Sequence, residues 1–356
     1  MTDLLALTEQ WCSVPSVSRD ERALADIIEA RLRASTPGLT IDRVGDNVVV
    51  RTDLGRDQRV VLGGHLDTVP PNGNQMPRRD GDTLHGLGSS DMKGGLAVMA
   101  VLAEAIAANP DQTRFDTTFA FYVAEEIADE FNGLRSLFET RPELVRGDLA
   151  ILLEPTDGWV EAGCQGTLTM RGTYRGARAH TARPWMGSNA IHRLSRALAT
   201  VEQTDPGTVD VDGLPFPQSL QAVAIEGGVA NNVVPDLATL TVNRRFAPSG
   251  SVAEAEAEAE TRALFADADE IEVLNASSAA PPNLWNPLVA EFVGTFDLGV
   301  RPKLGWTDVA RFTAHGIPAL NFGPGDPTIA HTAGEFVTRE SLEGCHAVLA
   351  RFLGLG

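Results

Sequence analysis

Cysteine is scarce in this chain. Its 356 residues hold three, Cys12, Cys164 and Cys345, odd in number and far apart, which argues against a disulfide framework and a paired-cysteine metal site. They read as reduced, mostly buried thiols of a cytoplasmic protein. Basic charge is also in short supply: lysine and arginine total 29 against 48 aspartates and glutamates, a formal net charge of −19. Such an anionic surface argues against nucleic acid and anionic membranes as partners, and an anionic substrate would have to be met by locally placed arginines. No apolar run approaches the ~20 residues of a membrane span. The stretch MTDLLALTEQWCSVPSV has no basic segment ahead of its apolar part and no clear small-residue cleavage site, so no secretory signal is expected. No GxSxG elbow follows a candidate strand, which speaks against a serine hydrolase.

What is there is a globular composition, 43% hydrophobic and 22% charged, at a length that favours two domains. Leu4, Leu7 and Trp11 predict a short helix over 3–12. Ser18 with Glu21 forms a capping-box pattern, and the helix it starts carries Leu24, Ile27, Ile28 and Leu32 on one face until Pro37 and Gly38 end it. Strands are expected at 47–51 and 59–62, then a polar loop over 72–82. HGLGSSDMKGG (85–95) opens a helix over 95–108. Residues 115–124 read as a strand delivering Glu125 and Glu126, and 149–153 as one delivering Glu154. Strands alternating with helices imply a mainly parallel sheet covered on both faces.

The character changes at Gly166. Residues 166–174 alternate like an exposed antiparallel strand, 220–225 and 238–246 are further alternating strands, 189–201 is helical, and SVAEAEAEAETRALF (251–265) is a solvated helix. The expected architecture is an α/β domain in two pieces, 1–165 and 278–356, around a strand–helix–strand–strand–helix–strand insertion, 166–277. After a polar linker at 275–283 the chain returns to α/β, with a helix over 287–298, a strand over 319–322 and a closing helix from about Glu340.

Chemistry concentrates around GGHLDTVP, 63–70. In a strand, residues two apart share a face, so His65 and Asp67 project together from its carboxyl end, where open α/β sheets place their sites. A histidine backed by a carboxylate suits a metal ligand whose second nitrogen must be held in one tautomer. Other strand ends and loops offer Asp91, Glu125, Glu126, Glu154 and His331. A glutamate pair after a buried strand is costly unless a metal or an arginine neutralises it. Three carboxylates and two neutral imidazoles would nearly balance two divalent ions, with one hydroxide closing the difference. Mixed nitrogen and oxygen ligands suit zinc, and two ions ~3.5–4 Å apart can activate a shared water and polarise a carbonyl.

HLDTVP, GLGSSDMKGG, the glutamate pair after FYVA, the EP of LLEP and the late GDPTIAH, in this order, resemble the co-catalytic zinc amidohydrolases. That family contains succinyl-diaminopimelate desuccinylases, acetylornithine deacetylases, aminoacylases and glutamate carboxypeptidases. NGL after the glutamate pair, AHTARPWMGSNAIHRL, NNVVPD, WTDVARF and NFGPGDP look most like the first of these, in its actinobacterial type. The resemblance covers essentially the whole chain. It implies a zinc-exopeptidase-like catalytic domain with a mixed, mainly parallel sheet, and an inserted ferredoxin-like domain that forms a homodimer. It implies that His65 and Glu154 hold one zinc and Glu126 and His331 the other, with Asp91 bridging the two, often through a cis peptide, here Asp91–Met92. Cobalt is a conceivable substitute. Asp67 would orient His65, and Glu125 would be the general base. His180 would reach the partner's active site and stabilise an oxyanion, while Asn232, Arg245 and Arg311 would hold a substrate carboxylate.

The implied reaction splits N-succinyl-LL-2,6-diaminopimelate into succinate and LL-2,6-diaminopimelate. Acetylornithine deacetylation, or broader hydrolysis of acylated amino acids, shares the same ligands and stays open as an alternative. A metal-binding protein without catalysis is a further class, against which the retained Glu125 speaks. Leu87 stands where the family commonly has arginine, and Val123 and Ala124 precede the glutamates where an aspartate is often near. His85 is a weaker neighbour of the site, and His192, His315 and His346 read as structural.

Overall fold

The computed structural model describes residues 2–250 and 253–355. Its backbone divides into two compact units: one running to Ala162, with Asn283–Arg301 and everything from Arg311 on, and a second of Gly163–Pro282 with Pro302–Ala310.

The first unit is built on an eight-stranded sheet in the spatial order Thr40–Val44, Asn47–Arg51, Asp116–Tyr122, Arg59–His65, Leu149–Leu152, Ala319–Asn321, Val160–Ala162 and Val300–Pro302. Arg59–His65 runs parallel to both of its neighbours, and Ala319–Asn321 is parallel to Leu149–Leu152. The outer strands Thr40–Val44, Asn47–Arg51 and Val160–Ala162 add on antiparallel. The sheet is therefore mixed around a parallel centre, as expected. Its central strands are continuous apolar runs because both faces are covered: Val60, Val61, Leu62, Phe119, Ala120 and Ile151 are all wholly buried. The helix Gly94–Ala108 is apolar nearly all round and buried from Leu96 to Ala103, as a helix pressed between layers should be. A Cβ on Gly95 would stand 2.5 Å from the carbonyl oxygen of Leu153, so this helix approaches the sheet as closely as only glycine permits.

Several elements of this unit escaped the sequence. Thr40–Val44 pairs with Asn47–Arg51 across the Gly45–Asp46 turn, Gly133–Thr140 is helical, and the polar loop 72–82 contains the strand Arg78–Asp80. That strand joins Thr83–His85 and Phe336–Thr338 in a small antiparallel sheet.

The second unit has a four-stranded antiparallel sheet in the order Ser219–Gly227, Leu237–Phe246, Gly166–Arg175, Glu270–Ser277. The helices Ala190–Gln203 and Ala253–Leu264 pack on it, and Leu168, Met170, Leu194, Leu240, Val242 and Phe265 form its core. The strand–helix alternation is the expected one, with an added hairpin of Thr208–Val211 and Leu214–Pro217. Ser251 and Val252, the first residues of the helix expected over 251–265, lie outside the described residues. One expectation is corrected. The strand at Gly166 is not exposed: Leu237–Phe246 and Glu270–Ser277 pair with its two edges, and the helices cover its apolar face. The sheet's two edges, Ser219–Gly227 and Glu270–Ser277, are the largely exposed strands instead. Pro302–Ala310 groups with this unit through Gln165 N–H to the Lys303 carbonyl (3.2 Å) and the Trp306 indole N–H to the Ser278 carbonyl (3.2 Å).

Candidate active site

His65 ends the central parallel strand and is buried. Its Nδ1 lies 3.0 Å from the backbone oxygen of Asp67 and 3.4 Å from that residue's Oδ1. A carbonyl can only accept, so Nδ1 carries the proton and Nε2 is turned towards Asp91 Oδ1 (3.0 Å) and Glu154 Oε1 (4.0 Å). Asp91 sits in a tight turn, Ser89–Lys93, ahead of the Gly94–Ala108 helix, and its peptide bond to Met92 is cis. Its second oxygen, Oδ2, faces His331 Nε2 at 3.3 Å, and the same nitrogen meets Glu126 Oε1 at 2.8 Å. Glu154 follows the Leu149–Leu152 strand and is buried.

The loop that presents Glu125 and Glu126 is clamped from below. Four successive backbone N–H groups donate to side chains: Val123 to Asn47 Oδ1 (3.0 Å), Ala124 to Glu21 Oε1 (3.0 Å), Glu125 to Asp67 Oδ1 (3.0 Å) and Glu126 to Asp67 Oδ2 (3.1 Å). Ser18 Oγ donates to Asp67 Oδ2 at 2.7 Å. This corrects the capping-box reading of Ser18 and Glu21. The helix starts at Arg22 with no side-chain cap, because both side chains are used beneath this loop. A chain leaving its strand into a buried bend has no ladder to take its N–H groups, and side chains must take them instead.

The result is two overlapping groups, His65–Asp91–Glu154 and Asp91–Glu126–His331, with Asp91 common to both and the ligand atoms of each within 4.8 Å of one another. His65, Glu125 and Glu126 form a third such group. Burial opposes a charge on His65, but Asp67 and Asp91 beside it overcome that and raise its pKa well above the ordinary value. Hydrogen bonds to Asp91 and Glu126 push His331 up to about 10. Burial of the Asp91 carboxyl is outweighed by His331 and His65, which hold it well below the usual carboxylate range. Carboxylates converging on two imidazoles in a largely buried pocket form a site for positive charge, and this donor set fits a pair of borderline divalent cations.

The model of peptidase family M20/M25/M40 matches residues 61–354. The chain belongs to this family. A Mycobacterium tuberculosis protein provisionally named as a succinyl-diaminopimelate desuccinylase is 45% identical over 353 residues, 99% of this chain and 98% of its own. The succinyl-diaminopimelate desuccinylase of Corynebacterium glutamicum is 42% identical over 355 residues, 99% of this chain and 96% of its own. Among solved structures, a tripeptidase from Staphylococcus aureus superposes with a TM-score of 0.81 at 19% identity, covering 99% of this chain and 97% of its own, a likeness of fold.

Of the remaining site residues expected for this M20 chain, His180, Asn232 and Arg245 lie in the second unit. His180 and Asn232 are neighbours there: Thr181 N–H donates to the Asn232 carbonyl at 3.0 Å, and His180 bridges to Val233. His180 is exposed, and its Nδ1 accepts the N–H of Ala182 at 3.0 Å. Arg245 is half-buried in the strand Leu237–Phe246, and burial lowers its pKa. Arg311 lies in the first unit, where it donates to Asp129 Oδ1 at 2.6 Å while Arg135 donates to Asp129 Oδ2 at 2.7 Å. His85 packs against Phe336, His315 stacks on Phe138 at 4.0 Å, and His192 is exposed on the Ala190–Gln203 helix. Burial lowers the pKa of His346. All three cysteines are buried, which pushes Cys12 up to about 12 and Cys164 up to about 11 and leaves both thiols inert.

Sequence reasoning missed Glu335, Glu21 and Asn47 as parts of the site's support, and Asp129 as the partner of Arg311. Glu21 was hidden by fitting a cap. The one available signal for Glu335 was a glutamate four residues after His331, at the start of an apolar strand.

Proposed function

We propose that this chain hydrolyses N-succinyl-LL-2,6-diaminopimelate to succinate and LL-2,6-diaminopimelate, a step towards lysine and cell-wall precursors. The observation that carries the reading is the Asp91 carboxylate with one oxygen turned to each of two histidines. It stands in a chain 42% identical along nearly its whole length to a desuccinylase. His65, Glu154 and Asp91 would hold one ion, and Glu126, His331 and Asp91 the other. Two zinc ions, or cobalt in their place, would when bound supply the Lewis acidity that activates water and polarises the amide carbonyl.

The chain's own groups then have distinct tasks. Asp67 fixes the His65 tautomer and the height of the glutamate loop. Glu125 takes the proton of the attacking water and returns it to the departing amine. Because His180 Nδ1 accepts a backbone N–H, its neutral ring carries the proton on Nε2, the form that can donate to an oxyanion. Arg245 has no ion pair among the described residues, so its charge is available to a substrate carboxylate; Asn232 and Arg311 are proposed for the same task, Arg311 while held by Asp129.

A homodimer through 166–277 is part of the same reading. Val223 and Ile225 are 56% and 55% exposed on the free edge strand Ser219–Gly227, and an apolar exposed edge invites pairing with a second copy. Buried reduced thiols are in keeping with a cytoplasmic setting. No helix among the described residues is long and apolar enough to cross a membrane.

The test is amine release from N-succinyl-LL-diaminopimelate and from N-acetylornithine, side by side, with metal-free protein and with zinc restored. Zinc-dependent turnover of the succinyl substrate is expected. Preference for acetylornithine would keep the two-metal chemistry and overturn the substrate.

A further inference from the structure

The turn that carries Asp91 is held by a carboxylate outside the ligand set. Glu335 is 1% exposed and lies just before the strand Phe336–Thr338. Its Oε1 accepts the N–H of Ser90 (2.9 Å) and of Asp91 itself (3.0 Å), and its Oε2 accepts the N–H of Gly88 (3.2 Å). The backbone of Glu335 is fixed as well, its carbonyl accepting Gly86 N–H at 3.1 Å and its N–H donating to the Thr332 carbonyl at 3.3 Å. Asp91 and Met92 have non-helical backbone angles, so the turn cannot meet all its own N–H groups as a helix would. Three backbone N–H groups of one turn held by a single buried side chain leave little freedom to the Cα of Asp91.

We propose that Glu335 is the positioning residue of the Asp91 carboxylate, setting the reach of its two oxygens towards His65 and His331. The proposal rests on the reading above that Asp91 is shared between two ions. Its geometry is economical: His331 and Glu335 are four residues apart, so one short segment delivers a ligand to the second ion and fixes the turn that bridges both. A carboxylate doing no more than filling a buried space would not need three N–H groups of the ligand-bearing turn, the ligand's own among them.

The experiment uses the full chain with Glu335→Gln and Glu335→Asp. Metal is removed with a chelator, then zinc is titrated back against a chromophoric competitor, and cobalt(II) spectra and the melting temperature of the metal-free protein are recorded. Gln keeps the shape but turns an N–H₂ group towards backbone donors. Affinity for both ions is expected to weaken by about 10–100-fold, the usual effect of removing a group that orients a ligand, with an altered cobalt spectrum. Asp, which keeps two carboxyl oxygens as acceptors for the turn, should lose less. Unchanged zinc affinity and cobalt spectrum beside a lowered melting temperature would reduce Glu335 to a fold support and overturn the proposal. Failure of both variants to fold would overturn it in the same way. Wild-type protein that binds fewer than two ions would sink the two-ion reading itself, an outcome visible before any variant is compared.

Discussion

Asp67 holds Glu125 by its backbone: Oδ1 accepts the Glu125 N–H at 3.0 Å while Oδ2 accepts that of Glu126 at 3.1 Å. The same wholly buried carboxylate stands 3.4 Å from the His65 ring. A single side chain thus couples the strand that ends in His65 to the loop that carries both glutamates.

Asp67→Asn should therefore act on stability and turnover together. One side of the amide would present a donor to a donor, leaving a buried N–H unmet at a cost of about 1–3 kcal/mol. The Glu125 carboxylate would lose its fixed height, and kcat should fall with it. Ser18→Ala removes one hydroxyl donor from the same carboxylate and should cost only about 1 kcal/mol. Denaturant midpoints and kcat for both variants check this; an Asp67→Asn protein with wild-type kcat would separate the clamp from catalysis.

Glu125→Ala should leave metal content unchanged and lower turnover about 10²–10⁴-fold, the usual contribution of a positioned general base. Metal analysis beside steady-state kinetics decides it. Near-wild-type activity would remove Glu125 from the base role, and loss of an ion would make it a ligand.

The glutamates are legible in the chain's motifs for a physical reason. Ligands sit at strand ends, and central strands announce themselves as apolar runs such as Val60–Val61–Leu62 and Ile151–Leu152. His65, Glu125, Glu126 and Glu154 each follow such a run. What is not legible is what holds them. Glu21, Glu335 and Asn47 act through backbone N–H groups distant in sequence, and a backbone donor has no letter. The strand Gly166–Arg175 misleads for a related reason: its alternation marks one apolar face, but its interior place depends on partners at 237–246 and 270–277.

Metal uptake should release protons. In the metal-free protein Asp91 and Glu126 push His331 up to about 10, so at pH 7 its ring is charged. A ring whose pKa is raised on folding stabilises the fold fully below its ordinary value of ~6.5, and that contribution is lost as pH rises through about 10. Ligation requires the neutral ring. Zinc binding at pH 7 should thus expel protons from His331 and from the similarly raised His65, and affinity should grow with pH. Calorimetric titration in buffers of differing ionisation enthalpy measures this directly; binding heats that do not depend on the buffer would contradict protonated histidines in the metal-free site.

Gly323 bears on Glu154 through space. A Cβ there would lie 2.4 Å from the carbonyl oxygens of both Leu153 and Glu154. These are backbone atoms, so the neighbour cannot step aside by changing rotamer. Gly323→Ala should cost about 1–3 kcal/mol, as overpacking does, and should shift the end of the strand from which Glu154 projects. The ion assigned to His65 and Glu154 should then bind more weakly than the one assigned to Glu126 and His331. Gly344→Ala is the control: a Cβ there meets nothing within 4 Å, and the site is exposed on the closing helix Arg339–Leu353. Replacing a helical glycine by alanine should stabilise by about 0.5–1 kcal/mol. Stepwise zinc affinities separate the outcomes. Equal weakening of both ions in Gly323→Ala would mean that the strain spreads through Asp91, and unchanged affinities would mean that the strand end yields without moving Glu154.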